Sequence, residues 1–314
     1  MAPRHKLLAT LLVVVLVSII PFTSPKVTRA QNNDELIRMT VTVWNNKGPV
    51  KGLTREAFQV ADEKVAKQVE LFEADDAPIS IGLLIDTSGS MNLGDLREKI
   101  YSKPGEEVIS LFIQRGNQNN EYFVGSFDST SRLLADWSTA SNLLSRTTNI
   151  SRPKGQFKTV LYDACFAAIE KMQTAHHSRR ALIVITDGQD NESQHKFKEL
   201  RNMLRDSDIL FYAIAVADSE DVASSLGIEG QTVLEELASV TGGRVYYPRE
   251  KKEMAEVFSA MNDELHNQYR VGFRRGQLDP VRQWRQIKLK ISPQVKSKEF
   301  KNLSFRTRQG YYTK

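Results

Sequence analysis

One cysteine in 314 residues, Cys165, leaves no pair from which an internal disulfide could form. Stability therefore has to come from a packed core rather than from cross-links. Cys165 itself falls in the apolar helical pattern Leu161, Cys165, Ala168, Ile169, the setting of a small packed side chain and not of a nucleophile. Histidine is scarce too: His176-His177 reads as a polar turn after a helix, His195 and His266 are isolated, and none has the His-Glu-x-x-His spacing of a catalytic zinc. No Gly-x-Ser-x-Gly, Walker loop or Gly-x-Gly-x-x-Gly fingerprint stands at a strand end. Ser88 occupies the place where an aspartic protease carries the glycine of Asp-Thr-Gly, and where an aspartyl-phosphate phosphatase carries its second carboxylate.

Long apolar runs are absent except for one, Leu7 to Phe22. Arg4, His5 and Lys6 precede it, and Thr28-Arg29-Ala30 offers a small-x-small cleavage site before Gln31. This is the grammar of a secretory signal over residues 1–30. An uncleaved inner-membrane anchor is the alternative, for which Leu7 to Ile20 is short. Both readings put the remainder outside the cytoplasm, periplasmic or secreted, and no cysteine stands directly after the apolar run to carry a lipid.

With 40% hydrophobic and 26% charged residues, the chain is long enough to bury a sizeable core. The net charge of +5 conceals an asymmetry. Residues 266–314 hold 13 Lys/Arg against two acids, a net of +11, and the first thirty residues add +4, which leaves −10 for residues 31–265. An acidic body thus carries a basic tail, and such a tail points to a nucleic acid, an anionic membrane surface or an acidic neighbouring domain. Export argues against nucleic acid, and in Ile287 to Ile291 the lysines alternate with apolar residues, as on the solvated face of a strand.

Along the chain, Ile37, Met39, Val41 and Val43 alternate with polar residues as a half-buried strand does. Asn45-Asn46-Lys47-Gly48 reads as a turn, Thr54 as the cap of one helical turn, and Val60 to Phe72 as a small hairpin. From Ile79 to Leu265, strands (Ile81 to Asp86, Tyr122 to Phe127, Ala181 to Thr186, Ile209 to Val216, Arg244 to Tyr247) alternate with helical patterns near Leu96 to Ile113, Asn142 to Arg146, Val160 to Met172, Phe197 to Leu204, Val233 to Val240 and Lys251 to Leu265. Leu133 to Ala135 is expected as an antiparallel edge strand. The expected class is α/β, a Rossmann-like, doubly wound, mostly parallel sheet over residues 79–265. The β segments at 31–78 and 266–314 are each too small for a core, so they are expected to pair into one small β domain into which the α/β unit is inserted.

Three loops at expected strand ends carry the chemistry. Asp86, Ser88 and Ser90 alternate after the apolar run Ile81 to Ile85, Thr159 precedes a helix, and Asp187 follows Ile185-Thr186. Hydroxyls with one or two carboxylates suit Mg²⁺, which wants about six oxygens and keeps several waters. They also leave much of its charge unneutralised, so a partner's carboxylate can complete the coordination. Asp163 is read as a first-turn helix residue and Asp190 as a solvated loop residue, rather than as ligands.

Asp-Thr-Ser-Gly-Ser at 86–90, Thr159 before Leu-Tyr-Asp-Ala, and Thr-Asp-Gly at 186–188 resemble the metal-ion-dependent adhesion site (MIDAS) of von Willebrand factor A (VWA) domains. Val-Lys-Gly-Leu-Thr-Arg-Glu-Ala-Phe at 50–58, Thr-Gly-Gly-Arg at 241–244 and the closing Arg-Gln-Gly-Tyr-Tyr resemble exported bacterial proteins of the acidobacterial VWFA-related type. The resemblance implies partner binding through a divalent cation, with Ser88, Ser90 and Thr159 as direct ligands and Asp86 and Asp187 direct or through water. Relatives carry a glycine pair before the metal-site threonine, whereas Phe157-Lys158 stands here; Lys158 either weakens cation affinity or helps to hold an acidic ligand. The expected function is a non-enzymatic, exported binding module using Mg²⁺ or Mn²⁺ and a protein partner with an exposed Asp or Glu. A metal-assisted hydrolase and a structural envelope protein, attached to an anionic surface by its basic segment, are the alternatives.

Overall fold

The computed structural model describes residues 35–74, 76–92, 109–110, 112–144, 158–216, 225–276, 281–292 and 300–313. The expected export segment, most of the Leu96–Ile113 helix and Phe157 lie outside them. At the centre is a six-stranded sheet built from β6 (Ile79–Asp86), β7 (Glu121–Phe127), β8 (Ser131–Thr139), β9 (Arg179–Thr186), β10 (Ile209–Ala215) and β11 (Arg244–Tyr246), in the order β11-β10-β9-β6-β7-β8. All pairings are parallel except β7 with β8. β6, β7 and β10 are buried along their whole length, which is why they read as continuous apolar runs instead of alternating ones.

Helices cover both faces. α1 (Ala140–Leu144), α5 (Lys251–Leu265) and the helical residues 112–115 pack on one side around Tyr122, Tyr212 and Phe258; α2 (Leu161–Lys171), α3 (Phe197–Asp206) and α4 (Ser225–Thr241) pack on the other around Phe123, Phe127 and Phe211. Cys165 is buried in this second layer, and burial pushes its thiol well above the usual range. It behaves as a packed side chain.

The opening and closing segments pair with one another. β1 (Leu36–Asn45) takes β12 (Gln268–Arg274) on one side and β14 (Ser304–Arg306) on the other, with β2 (Gly48–Pro49) at its end and β5 (Leu71–Glu73) beyond β12. A second antiparallel sheet runs β15-β13-β3-β4, from Gly310–Tyr312, Trp284–Ile291, Phe58–Asp62 and Val65–Lys67. The two sheets share one core, in which Val41, Phe58, Val60, Val271, Phe273 and Leu289 meet.

Four local expectations change. β8 is nine residues long rather than three: Leu133 and Leu134 are exposed at 53% and 41%, and two register shifts interrupt its pairing, so no period was visible. The expected Val60–Phe72 hairpin is split, because β4 stays beside β3 while β5 crosses to β12. Thr54 makes no capping bond. Asp190 is half-buried, not solvated.

The charge asymmetry closes within the chain. Each of the seven arginines after His266 pairs with an acid of the body: Arg270 with Glu73 at 3.2 Å, Arg274 with Glu70 at 3.0 Å, Arg275 with Glu35 at 3.5 Å, Arg285 with Asp62 at 2.8 Å and Arg308 with Asp208 at 2.6 Å, besides Arg282 with Asp206 and Arg306 with Glu264. The planar guanidinium suits such partly desolvated contacts. Lys288 and Lys290 of the same segment remain exposed. The Arg308-Gln309-Gly310-Tyr311-Tyr312 run acts as a clasp: Arg308 also donates to Gly310 O, and Tyr311 OH donates to the buried Asp62 at 3.1 Å.

Candidate metal centre

β6 and β9 are adjacent and parallel, with Ile85 opposite Ile185, so Asp86 and Thr186 end their strands side by side. Thr186 Oγ1 donates to Asp86 Oδ2 at 2.7 Å. Asp86 Oδ1 accepts the N–H of Ser88 at 2.9 Å, which folds the loop back over the strand end. Thr87 ties the same loop to β7, its N–H and hydroxyl both reaching Phe127 O. Met91, fully buried, pins the short 3₁₀ turn Gly89–Asn92 into the core. Asp86 and Ser88 are both completely buried.

Asp187 follows one residue beyond Thr186. Its Oδ1 accepts Gln189 N–H at 3.0 Å, while Oδ2 is buried and has no hydrogen-bond partner among the described residues. A buried carboxylate oxygen without a donor is costly unless a cation serves it. Burial, and then the charge of Asp187, push the Asp86 carboxyl up to about 7, against the lowering effect of the Ser88 and Thr186 hydrogen bonds. Two carboxylates are thus held close together where water cannot screen them.

Thr159 is brought to this point by the chain after β9. Its N–H donates to Asn191 Oδ1 at 2.9 Å, and its carbonyl accepts from the N–H groups of Asn191 and Glu192. Val160 N–H donates to Asp128 O, at the β7–β8 turn. The start of α2 is capped from the same chain: Tyr162 N–H goes to Asp190 Oδ1 and Asp163 N–H to Ser193 Oγ. Asp163 answers by accepting from the N–H groups of Gln194 and His195. Asp163 and Asp190 are therefore bracing residues. His195 belongs to the brace as well, at 2.7 Å from Asp163 and stacked on Phe166.

Of the five residues expected from the sequence, Asp86, Ser88, Thr159 and Asp187 lie buried at the carboxyl ends of adjacent strands or in the loops locked to them. The backbone of Ser90 lies in the 3₁₀ turn; its side chain is outside the described residues. The donors are carboxylates and hydroxyls, and among the described residues no three His, Cys, Asp or Glu side chains gather as a metal cluster. That set fits a hard divalent cation. Sequence reasoning missed Thr186, whose hydroxyl fixes the Asp86 carboxylate, although it stands in the Thr-Asp-Gly motif. It also missed Gly230, for which the sequence holds no signal. Gly188 has φ 84°, and a Cβ on it would lie 2.5 Å from Gly230 O; a Cβ on Gly230 would lie 2.5 Å from Asp187 O. A pair of glycines thus lets α4 meet the Asp187-Gly188 loop backbone to backbone.

Residues 80–260 match the family model of the von Willebrand factor type A domain. The chain belongs to the VWA domain family. No curated protein matches it. Solved structures similar to it include an aerotolerance-related membrane protein from Bacteroides fragilis (16% identity, 60% of this chain and 98% of that one, TM-score 0.47). Proximal thread matrix protein 1 from the mussel byssus, with a zinc-occupied MIDAS motif, is 14% identical over 67% of this chain and 50% of its own (TM-score 0.49). A von Willebrand factor type A protein from Catenulispora acidiphila is 12% identical over 84% of this VWA chain and 71% of its own (TM-score 0.46).

Proposed function

We propose that this VWA protein is an exported, non-enzymatic binding module of the bacterial envelope. Mg²⁺ or Mn²⁺, held by Asp86, Ser88, Thr159 and Asp187, and by Ser90 on the sequence alone, takes an acidic group from a protein partner. The observation that carries this reading is Asp187 Oδ2, buried without a donor among the described residues, beside a buried Asp86. Hydroxyl ligands leave the cation electron-poor, so an incoming carboxylate gains strongly in a site from which water is excluded. Hydrolysis is the weaker alternative. Asp86 and Asp187 are both committed to the proposed cation, directly or through water, so neither is available as a general base. Pull-downs from an envelope extract, with and without chelator, test the proposal. Partners should be recovered only with metal; equal recovery in both would favour a purely structural ion.

A further inference from the structure

Lys158 precedes Thr159 directly, with about 3.8 Å between their Cα atoms. Its Nζ lies 3.2 Å from Glu192 Oε1, and the two side chains are 59% and 45% exposed. Glu192 is itself anchored to the proposed ligand, since its N–H donates to Thr159 O at 3.2 Å. The ion pair is therefore fixed at both ends to Thr159 and lies at the lip of the metal centre. The neighbouring carboxylates of Asp163 and Asp190 are committed to bracing the two loops, whereas among the described residues the Lys158 and Glu192 side chains pair only with each other. An exposed ion pair of this kind contributes little to stability, so a competing carboxylate displaces Glu192 at small penalty. A carboxylate on a ligand already bound to the cation competes at high effective concentration.

We propose that Lys158 is a specificity-determining second anchor, selecting partners that carry two adjacent acidic side chains. One carboxylate takes the cation and the other replaces Glu192 on Lys158. This inference rests on the metal-site reading above, and Lys158 answers there as a holder of acidic ligands. Because the backbone bond of Glu192 to Thr159 is untouched by the exchange, only the two side chains rotate.

The test titrates the Mn²⁺-loaded full chain by calorimetry with two blocked peptides, Gly-Gly-Asp-Gly-Gly and Gly-Gly-Asp-Glu-Gly. Wild type should prefer the second about two- to fivefold, the range of an exposed ion pair. Lys158→Ala should lose that preference with Mn²⁺ affinity unchanged within about twofold, Lys158→Arg should keep it, and Glu192→Gln should strengthen it. Mn²⁺ binding without discrimination between the peptides in wild type, or an undiminished preference in Lys158→Ala, would overturn the inference while leaving the metal site standing. Absence of Mn²⁺ binding in wild type would overturn the reading on which it rests.

Discussion

Replacing Asp86 by Asn should make the metal-free protein more stable while abolishing its response to metal. Held at about 7 against an ordinary value of about 3.9, the buried carboxyl resists ionisation by about 4 kcal/mol, at about 1.4 kcal/mol per pH unit. At pH 8.5 in chelator the wild type bears that whole cost. Asn removes the charge and keeps the shape: Oδ1 accepts Ser88 N–H, and Nδ2 donates to Thr186 Oγ1, which also accepts from Gly188 N–H at 3.1 Å. The reversed Thr186 bond forfeits about 1 kcal/mol, leaving a gain of about 3 kcal/mol, or roughly 5–10 °C in Tm for a chain of this size. The sign follows from proton counting. Between about pH 4 and pH 7 the native state holds a proton that the unfolded chain has released, so metal-free wild type loses stability as pH rises through that window, and Asp86→Asn does not. Saturating Mg²⁺ at a hundred times Kd should return about 2.7 kcal/mol to wild type and nothing to the variant. Thermal melts at pH 5 and 8.5, with chelator and with Mg²⁺, read all four cases. An Asp86→Asn protein that melts at or below wild type in chelator at pH 8.5 would refute the electrostatic reasoning.

Three further outcomes follow from the same geometry. Thr159→Val, nearly isosteric at a position only 2% exposed, should lower Mn²⁺ affinity at least tenfold and leave the metal-free unfolding free energy within about 1 kcal/mol of wild type; unchanged affinity by calorimetry would remove Thr159 from the ligand set. Gly230→Ala places a Cβ 2.5 Å from Asp187 O, and the forced shift should destabilise by about 1–3 kcal/mol and weaken Mn²⁺ binding, whereas binding equal to wild type would show that the metal loop is indifferent to α4. Arg308→Ala leaves Arg205 O and Gly310 O without their donor and should lose about 2–3 kcal/mol in urea unfolding; limited proteolysis should then cut ahead of Tyr311.

Much of the architecture was visible in the sequence because the central strands are buried on both faces, and β6, β9 and β10 therefore carry apolar runs that end at Asp86, Thr186 and Asp218. What was hidden had specific causes. The first two turns of α4 carry Gly227 and Gly230, poor helix formers, so the helix was expected only from Val233 although it begins at Ser225. The tail's positive charge left an anionic membrane surface and an acidic neighbouring domain both open; its arginines are matched one by one to acids of the body far away in sequence, such as Arg308 to Asp208, which composition alone does not show. For the site, the alternation of Asp86, Ser88 and Ser90 and the position of Asp187 at a strand end were legible because they depend only on local spacing. The bracing of Thr159 by Asn191 and Glu192 was not, since it depends on how two loops meet.

The most direct measurement is an equilibrium titration of the chelator-treated full chain with Mn²⁺, following free Mn²⁺ by electron paramagnetic resonance. A single saturable Mn²⁺ ion per chain should bind to wild type and be lost in Asp187→Asn. Absence of saturable binding in wild type, or equal binding in Asp187→Asn, would contradict the assignment of the buried Asp86 and Asp187 pair as a metal centre.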